Sequence, residues 1–275
     1  MVAGHVVRDV VAGGWELGGT ATFAAVQAHR LGLRAGVVTR TAGDAELDRR
    51  LDFAEVVDAG SPVTTSFENV YQDGHRRQRV VARGAPLQAS DVPEAWRRAP
   101  VALVGPVLGE APPELAAVFE GSLVGVSAQG WLRELDEEGN VRKTAWNGAP
   151  FWLGARVLFV SDEDLPDEDG QLERWAAEVP VVVMTRARRG ARICEGGAWR
   201  EMDAFPEVEV DPTGAGDTFA TAFLIRLHES EDVAEAARFG AAAASLSVAA
   251  IGAASIPVRA EIERRMREHP EIGLR

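Results

Sequence analysis

The stretch Val210–Phe223, VDPTGAGDTFATAF, decides how this chain is read. It predicts a strand that ends in a Gly-rich turn, with an amphipathic helix following at once. That geometry makes an anion site. The N–H groups of Gly214, Ala215 and Gly216 would point outward at the positive end of the helix, and such small residues let a phosphate approach the backbone closely. Asp217 then stands at the helix entrance. As an N-cap, helped by Thr218, it would only close the helix. As a general base it would take a proton from an attacking hydroxyl while the adjacent N–H groups stabilise the transferred group. The residues alone leave both roles open.

Working outward, Val/Leu-rich runs alternate with helical stretches. Candidate strands are GVVTR (36 to 40), VALVGPV (101 to 107), LVGVSA (123 to 128), RVLFVS (156 to 161) and VPVVVMTR (179 to 186). Nearly continuous apolar runs of this length suit strands buried on both sides. Helices are expected over Thr20 to Leu31, Pro112 to Glu120 and Gln171 to Glu178, stopped by Gly32, Gly121 and Pro180, and then near 217 to 228, 231 to 250 and 258 to 269. The pattern predicts an α/β fold, a doubly wound, mostly parallel sheet flanked by helices. The stretch 64 to 83 differs. TTSFENVY and RQRVVAR flank the turn signal Asp73-Gly74 and read as a polar antiparallel hairpin, part of a small β lid on a single domain spanning 1–275.

Of the 275 residues, 42 are acidic and 29 basic, a formal charge of -13 that disfavours a nucleic-acid partner. Cys194 is the only cysteine, so no intrachain disulfide and no thiolate-rich metal site is expected, and its segment ARICEGG reads as a packed hairpin strand. The start MVAGHVVRDVV carries no secretion signal, and a cytoplasmic protein is the simplest expectation. The uncharged run from Phe239 to Pro257 is mostly Ala, Gly and Ser, which predicts a buried helix and no membrane partner. The five histidines lack metal-ligand spacing. Trp131, Trp146 and Trp152 fit a core or the wall of a pocket. Lys143 is the only lysine, so neither a Walker-loop lysine nor a protein-kinase strand lysine is available. Phosphate would have to be handled by arginine, backbone N–H groups and metal.

With these residues on the page, the chain resembles the PfkB/ribokinase family of small-molecule kinases, whose C-terminal signature DPTGAGDTF it carries at 211 to 219. The likeness extends to Asp9, to the Gly18-Gly19 pair opening a helix, to Ala42-Gly43-Asp44 and to the late run AAAASLSVAAIGAASIP. It implies a ribokinase-like fold with Asp217 as the base, Gly214, Ala215 and Gly216 as the anion hole, and Asp9, Gly18, Gly19 and Thr20 on the acceptor hydroxyls. It further implies ATP and Mg2+ as cofactors, with K+ next to the anion hole at Asp211 and Thr213, where turn chemistry is the alternative. Lids of the family often pair two subunits, which makes a homodimer an expectation.

Two departures stand out. The family's Asn-x-x-Glu near metal and phosphates is here Ser161-Asp162-Glu163-Asp164, with Asp164 in place of the Glu. Its Thr-x-Gly-x-x-Gly, by which a nucleotide is bound, is here Thr185 to Gly190 with Ala187 where a glycine is expected. The three arginines of that turn either pair with phosphates or are solvated. In finer detail, GHVVRDVV, LGGTATFAA and VSAQGWLRELDEEG look most like the myo-inositol kinase branch, with Gln129 and Arg133 set to bind acceptor hydroxyls. The expected function is ATP-dependent phosphorylation of a small polyol, with myo-inositol first. A sugar or nucleoside kinase and a catalytically silent polyol- or nucleotide-binding relative remain as alternatives.

Overall fold

The computed structural model describes residues 1–11, 13–43, 45–72, 75–165 and 170–275, and their side chains except at 45, 48, 69–72 and 75–77. Asp44 and the turn signal Asp73-Gly74 lie outside the described residues. In chain order the strands of the first half are β1 (Val2–Ala3), β2 (Val7–Val11), β3 (Gly14–Gly18), β4 (Gly36–Thr39), β5 (Glu55–Asp58), β6 (Ser66–Gln72) and β7 (His75–Ala82). They continue with β8 (Val101–Val104), β9 (Leu123–Ser127), β10 (Arg133–Leu135), β11 (Val141–Lys143), β12 (Val157–Ser161), β13 (Val181–Thr185), β14 (Ala191–Glu195) and β15 (Ala198–Met202). The helices are α1 (Thr20–Arg30), α2 (Ala45–Arg50), α3 (Gln171–Glu178), α4 (Ala215–Ser230), α5 (Val233–Ser247) and α6 (Arg259–Glu268).

Nine strands form one sheet in the order β15-β14-β13-β12-β9-β8-β1-β4-β5, parallel from β13 to β5 and antiparallel at the β14–β15 edge. Strand alternation divides the core in two. Val37, Leu103, Phe159 and Val183 face α1, α4, α5 and α6, whereas Val38, Val104, Val160 and Val182 face α3 and the buried Leu115, Phe119, Phe151 and Trp175. Both faces are therefore covered, which is why the strand runs carry so few polar residues. The first half of the uncharged run that starts at Phe239 belongs to α5, which ends at Ser247, with Phe239, Gly240, Ala242 and Ala243 buried, and the rest passes through a 3₁₀ turn at Gly252–Ser255. Among the described residues no helix is long and apolar enough to cross a membrane.

The hairpin of the 64 to 83 stretch pairs β6 with β7, and β2 and β3 complete a four-stranded lid sheet in the order β3-β2-β6-β7. The two lid strands β2 and β3 were not read from the sequence, because VRDVV and GWELG mix charges with apolar residues on a half-buried surface.

Two expected elements differ. No strand precedes the Gly-rich turn: Val208 and Val210 are 77% and 57% exposed, and the N–H groups of Val210 and Asp211 both donate to the Val248 carbonyl at 2.8 and 3.1 Å. The EVEV alternation imitates a strand, yet no sheet edge pairs with it. The helix expected over Pro112 to Glu120 is a short 3₁₀ helix, Pro113–Val118, whose start at two prolines supplies no N–H donors and which buries only Leu115 and Ala116.

Candidate active site

The α4 helix begins one residue after Gly214, the N-cap, which holds a left-handed backbone at φ 78°. A side chain there would also run into the Phe23 ring, so glycine is required twice over. Gly216, by contrast, faces open space. Of the three N–H groups nominated for the anion hole, that of Ala215 donates back to the Pro212 carbonyl at 3.2 Å, and the first helical bond runs from Thr218 to Gly214 at 2.8 Å. The first-turn N–H groups of Gly216 and Asp217 have no helical carbonyl to bond, so they are the donors available to an anion.

Asp217 lies half-buried in that first turn. Desolvation pushes its carboxyl up to about 6, opposed by the Thr20 hydroxyl and by the nearby Arg133 charge, and aided by Asp164. Thr20 opens α1, is 1% exposed, and fits only because Gly105 has no side chain to strike its methyl group. Arg133 comes from the other side of the cleft, where its guanidinium donates to the Val107 carbonyl at 3.0 Å. The Gln129 amide donates to Asp164 at 3.2 Å. Burial pushes the Asp164 carboxyl up, while Arg133 and Gln129 favour its charged form. The fold thus gathers Thr20, Gln129, Arg133, Asp164 and Asp217 from four separate segments at the carboxyl ends of the strands, where open α/β sheets bind ligands.

Asp9 stands on β2 directly opposite Glu16 of β3. Its carboxylate lies so close over Gly18 that any side chain there would overlap it. Gly19 has φ 85°, and a side chain would meet the His5 carbonyl. The pair is therefore a seat for Asp9 and a turn into α1, stapled by the Thr22 hydroxyl donating to the Gly18 carbonyl at 2.7 Å.

Thr185 ends β13, and Gly190, at φ 82°, closes the turn into β14, where a side chain would strike the Met202 carbonyl. Ala187 keeps a left-handed backbone at φ 47° although it is not glycine. Each arginine of the turn has a carboxylate partner: Arg186 meets Glu201 at 3.2 Å, Arg188 meets Glu209 at 3.6 Å, and Arg189 bonds Asp162. The Asp162 N–H donates to the Thr185 carbonyl at 3.0 Å, which ties the end of β13 to the segment that carries Asp164. Asp211 accepts from the N–H groups of Thr213 at 3.0 Å and Gly252 at 2.9 Å, which ties the Gly-rich turn to the loop after α5.

Trp131 is buried, stacks on Phe151 at 4.2 Å and donates to the Ala111 carbonyl at 3.0 Å, so it belongs to the core. Cys194 is buried as well. Sequence reasoning missed Glu110, which is 2% exposed and accepts from the N–H groups of His5 at 3.0 Å, Val107 at 2.9 Å and Leu108 at 2.8 Å. It fixes the loop that presents the Val107 carbonyl to Arg133. Its only signal was an acid inside the otherwise apolar, Gly/Pro-rich run GPVLGEAPP.

Chemically, a carboxyl near 6 is mostly ionised at neutral pH yet basic enough to accept a proton, and it sits beside free N–H donors and a guanidinium.

The pattern of the pfkB family carbohydrate kinases matches residues 157–260. An inositol 3-kinase from Zea mays is 33% identical over 201 residues, 67% of this chain and 52% of that enzyme. The chain spans about half the length of the curated relatives it matches first. Among solved structures, a pyrophosphate-dependent kinase in the ribokinase family, complexed with a pyrophosphate analog and myo-inositol, superposes with a TM-score of 0.78 at 24% identity, covering 96% of this chain and 100% of that one. Arabidopsis thaliana ribokinase complexed with ribose and ATP gives 0.73 at 21%, covering 97% of each. The two structures share this α/β fold and its lid.

Proposed function

Because the chain belongs to the pfkB family of carbohydrate kinases, we propose that it transfers the terminal phosphoryl group of ATP to a hydroxyl of a small polyol, with myo-inositol as the first candidate. The observation that carries the reading is the Gly-rich turn into α4, where Gly214 at φ 78° sets Asp217 in the first turn beside the unbonded N–H groups of the helix start. The acceptor oxygen bonds to phosphorus as its proton passes to Asp217. The bond from phosphorus to the bridging oxygen breaks, and its electron pair leaves on the diphosphate. The N–H groups of Gly216 and Asp217 and the Arg133 guanidinium stabilise the charge on the transferring group.

For the acceptor, Asp9 offers a carboxylate to vicinal hydroxyls, and Gln129 and Arg133 add an amide and a guanidinium. This mixture of donors and acceptors suits a ring of hydroxyls, and the resemblance to plant inositol 3-kinases favours a cyclitol over a sugar or nucleoside. For the donor, Val208, Val210 and Ile251 are 77%, 57% and 71% exposed beside the turn of the anion site. Such an apolar ledge suits a nucleobase, which pyrophosphate lacks. Among the described residues no cluster of three acidic or histidine ligands exists, so a magnesium ion would rest on the donor phosphates with Asp164 as the protein carboxylate, neutralising their charge. Asp211 is already engaged by two N–H donors, and turn chemistry accounts for it without a monovalent ion.

The test is a matrix of two donors, ATP and pyrophosphate, against myo-inositol, ribose, fructose, 2-keto-3-deoxygluconate, adenosine and cytidine. The highest kcat/KM is expected for ATP with myo-inositol. A tenfold preference for a sugar or nucleoside would overturn the cyclitol, and a preference for pyrophosphate would overturn the nucleotide.

A further inference from the structure

The only lysine of the chain, set aside on sequence grounds, returns through strand register. In the β10–β11 ribbon Arg133 pairs with Lys143, Glu134 with Arg142 and Leu135 with Val141. Directly opposed residues of an antiparallel pair project from the same face, and the faces alternate along each strand. Arg133, Leu135, Val141 and Lys143 therefore share one face. Two of them show where it points: Val141 packs against the lid cluster of Val7, Phe67, Val107 and Leu108, and Arg133 bonds the Val107 carbonyl. The opposite face is solvent-directed, with Arg142 bonded to Asp136 at 2.9 Å.

Lys143 thus projects from the side of the ribbon that looks into the cleft between lid and sheet. It is exposed, and among the described residues no carboxylate lies within ion-pair reach of it. The neighbouring arginines differ: Arg142 and the three of the 186 to 189 turn all have acidic partners. Two like charges directly opposed across a ribbon destabilise it, and an anion held between them removes that cost. The Lys143 charge reaches the cleft, since it helps keep the Asp164 carboxyl ionised.

We propose that Lys143 is a catalytic residue, the second cation of a clamp that with Arg133 holds the oxygens of the phosphoryl group while it moves between donor and acceptor. The inference rests on the kinase reading. Lys143 neither gives nor takes a proton in the step; its ammonium lowers the energy of the negative charge spread over the transferring group.

A single lysine makes the test unusually clean. Acetylation of the intact protein with an N-hydroxysuccinimide ester, followed by peptide mass spectrometry, reads Lys143 apart from the N-terminal amine. With β,γ-methylene ATP, magnesium and myo-inositol present, the Lys143 labelling rate should fall at least fivefold. Lys143→Met should lower kcat 10- to 100-fold with acceptor KM within twofold, and Lys143→Arg should recover most of the loss. A labelling rate indifferent to the donor analogue, or a wild-type kcat in Lys143→Met, overturns the clamp. A wild-type protein that phosphorylates no acceptor strikes the kinase reading instead, and the labelling rate still decides Lys143.

Discussion

Thr20 and Asp217, in the first turns of two helices from opposite ends of the chain, stand near enough for the threonine hydroxyl to favour the ionised carboxylate. The hydroxyl opposes the desolvation that raises the Asp217 carboxyl, so the threonine bears on the pH at which that carboxyl ionises. In the proposed role as base Asp217 acts in its ionised form, so kcat/KM should rise with pH through about 6. In Thr20→Val the stabilising hydroxyl is gone and the acid limb should move to higher pH. A limb unmoved in a pH–rate profile would remove Asp217 as its source.

The same carboxylate costs stability. A carboxyl raised from 3.8 to about 6 favours the folded state only when protonated, and that contribution is lost as pH rises through 6. Asp217→Asn should therefore be more stable than wild type at pH 8, by up to ~3 kcal/mol, with the difference vanishing near pH 4. Urea melts at both pH values check this; equal stability at pH 8 would show that Asp217 is not desolvated.

The glycines of the turn separate folding from catalysis. Gly214 has φ 78° and the Phe23 ring against it, so Gly214→Val should fold poorly or not at all. Gly216 meets nothing, so Gly216→Val should keep its melting temperature within a few degrees while kcat falls, because the side chain stands where the phosphoryl group approaches. A fully active Gly216→Val would move the anion site elsewhere.

Ala187 carries a backbone angle that suits glycine, φ 47°. Ala187→Gly should relieve strain and raise stability by about 1 kcal/mol, read as a higher urea midpoint. A loss would show that the turn gains more from the methyl group than it spends on the angle.

Glu110 supports the site from below. Glu110→Ala leaves the N–H groups of His5, Val107 and Leu108 buried without an acceptor, and a cost of about 3 kcal/mol or more is expected. The Gln variant, which keeps one acceptor oxygen, should lose less. Equal midpoints for Ala and wild type would contradict this support.

Which parts were legible in the sequence follows from the range of the interactions involved. Strands such as Val181–Thr185 are buried on both faces and must be apolar throughout, so local composition reveals them. The Gly-rich turn was legible because its backbone demands, φ above all, are met by residue type. The lid strands β2 and β3 were not, since one of their faces is polar. EVEV before the turn misled in the other direction, as alternation shows what a strand would need and not whether a partner edge is there. The pairings that make the site, Thr20 with Asp217 and Gln129 with Asp164, join distant segments and leave no local trace. The register that sets Lys143 opposite Arg133 is likewise a pairing across a ribbon, which the residues around EEGNVRKT do not show.

In the proposed reaction Asp217 takes a proton from a polyol hydroxyl as ATP gives up its terminal phosphoryl group. Phosphorus NMR of ATP, magnesium and myo-inositol with wild type and with Asp217→Asn, at matched and saturating nucleotide, tests it most directly. A new phosphate monoester resonance is expected with wild type, and a rate lower by roughly 10²–10⁴-fold in the variant, with ATP affinity nearly unchanged. A variant that forms the monoester at the wild-type rate would contradict it.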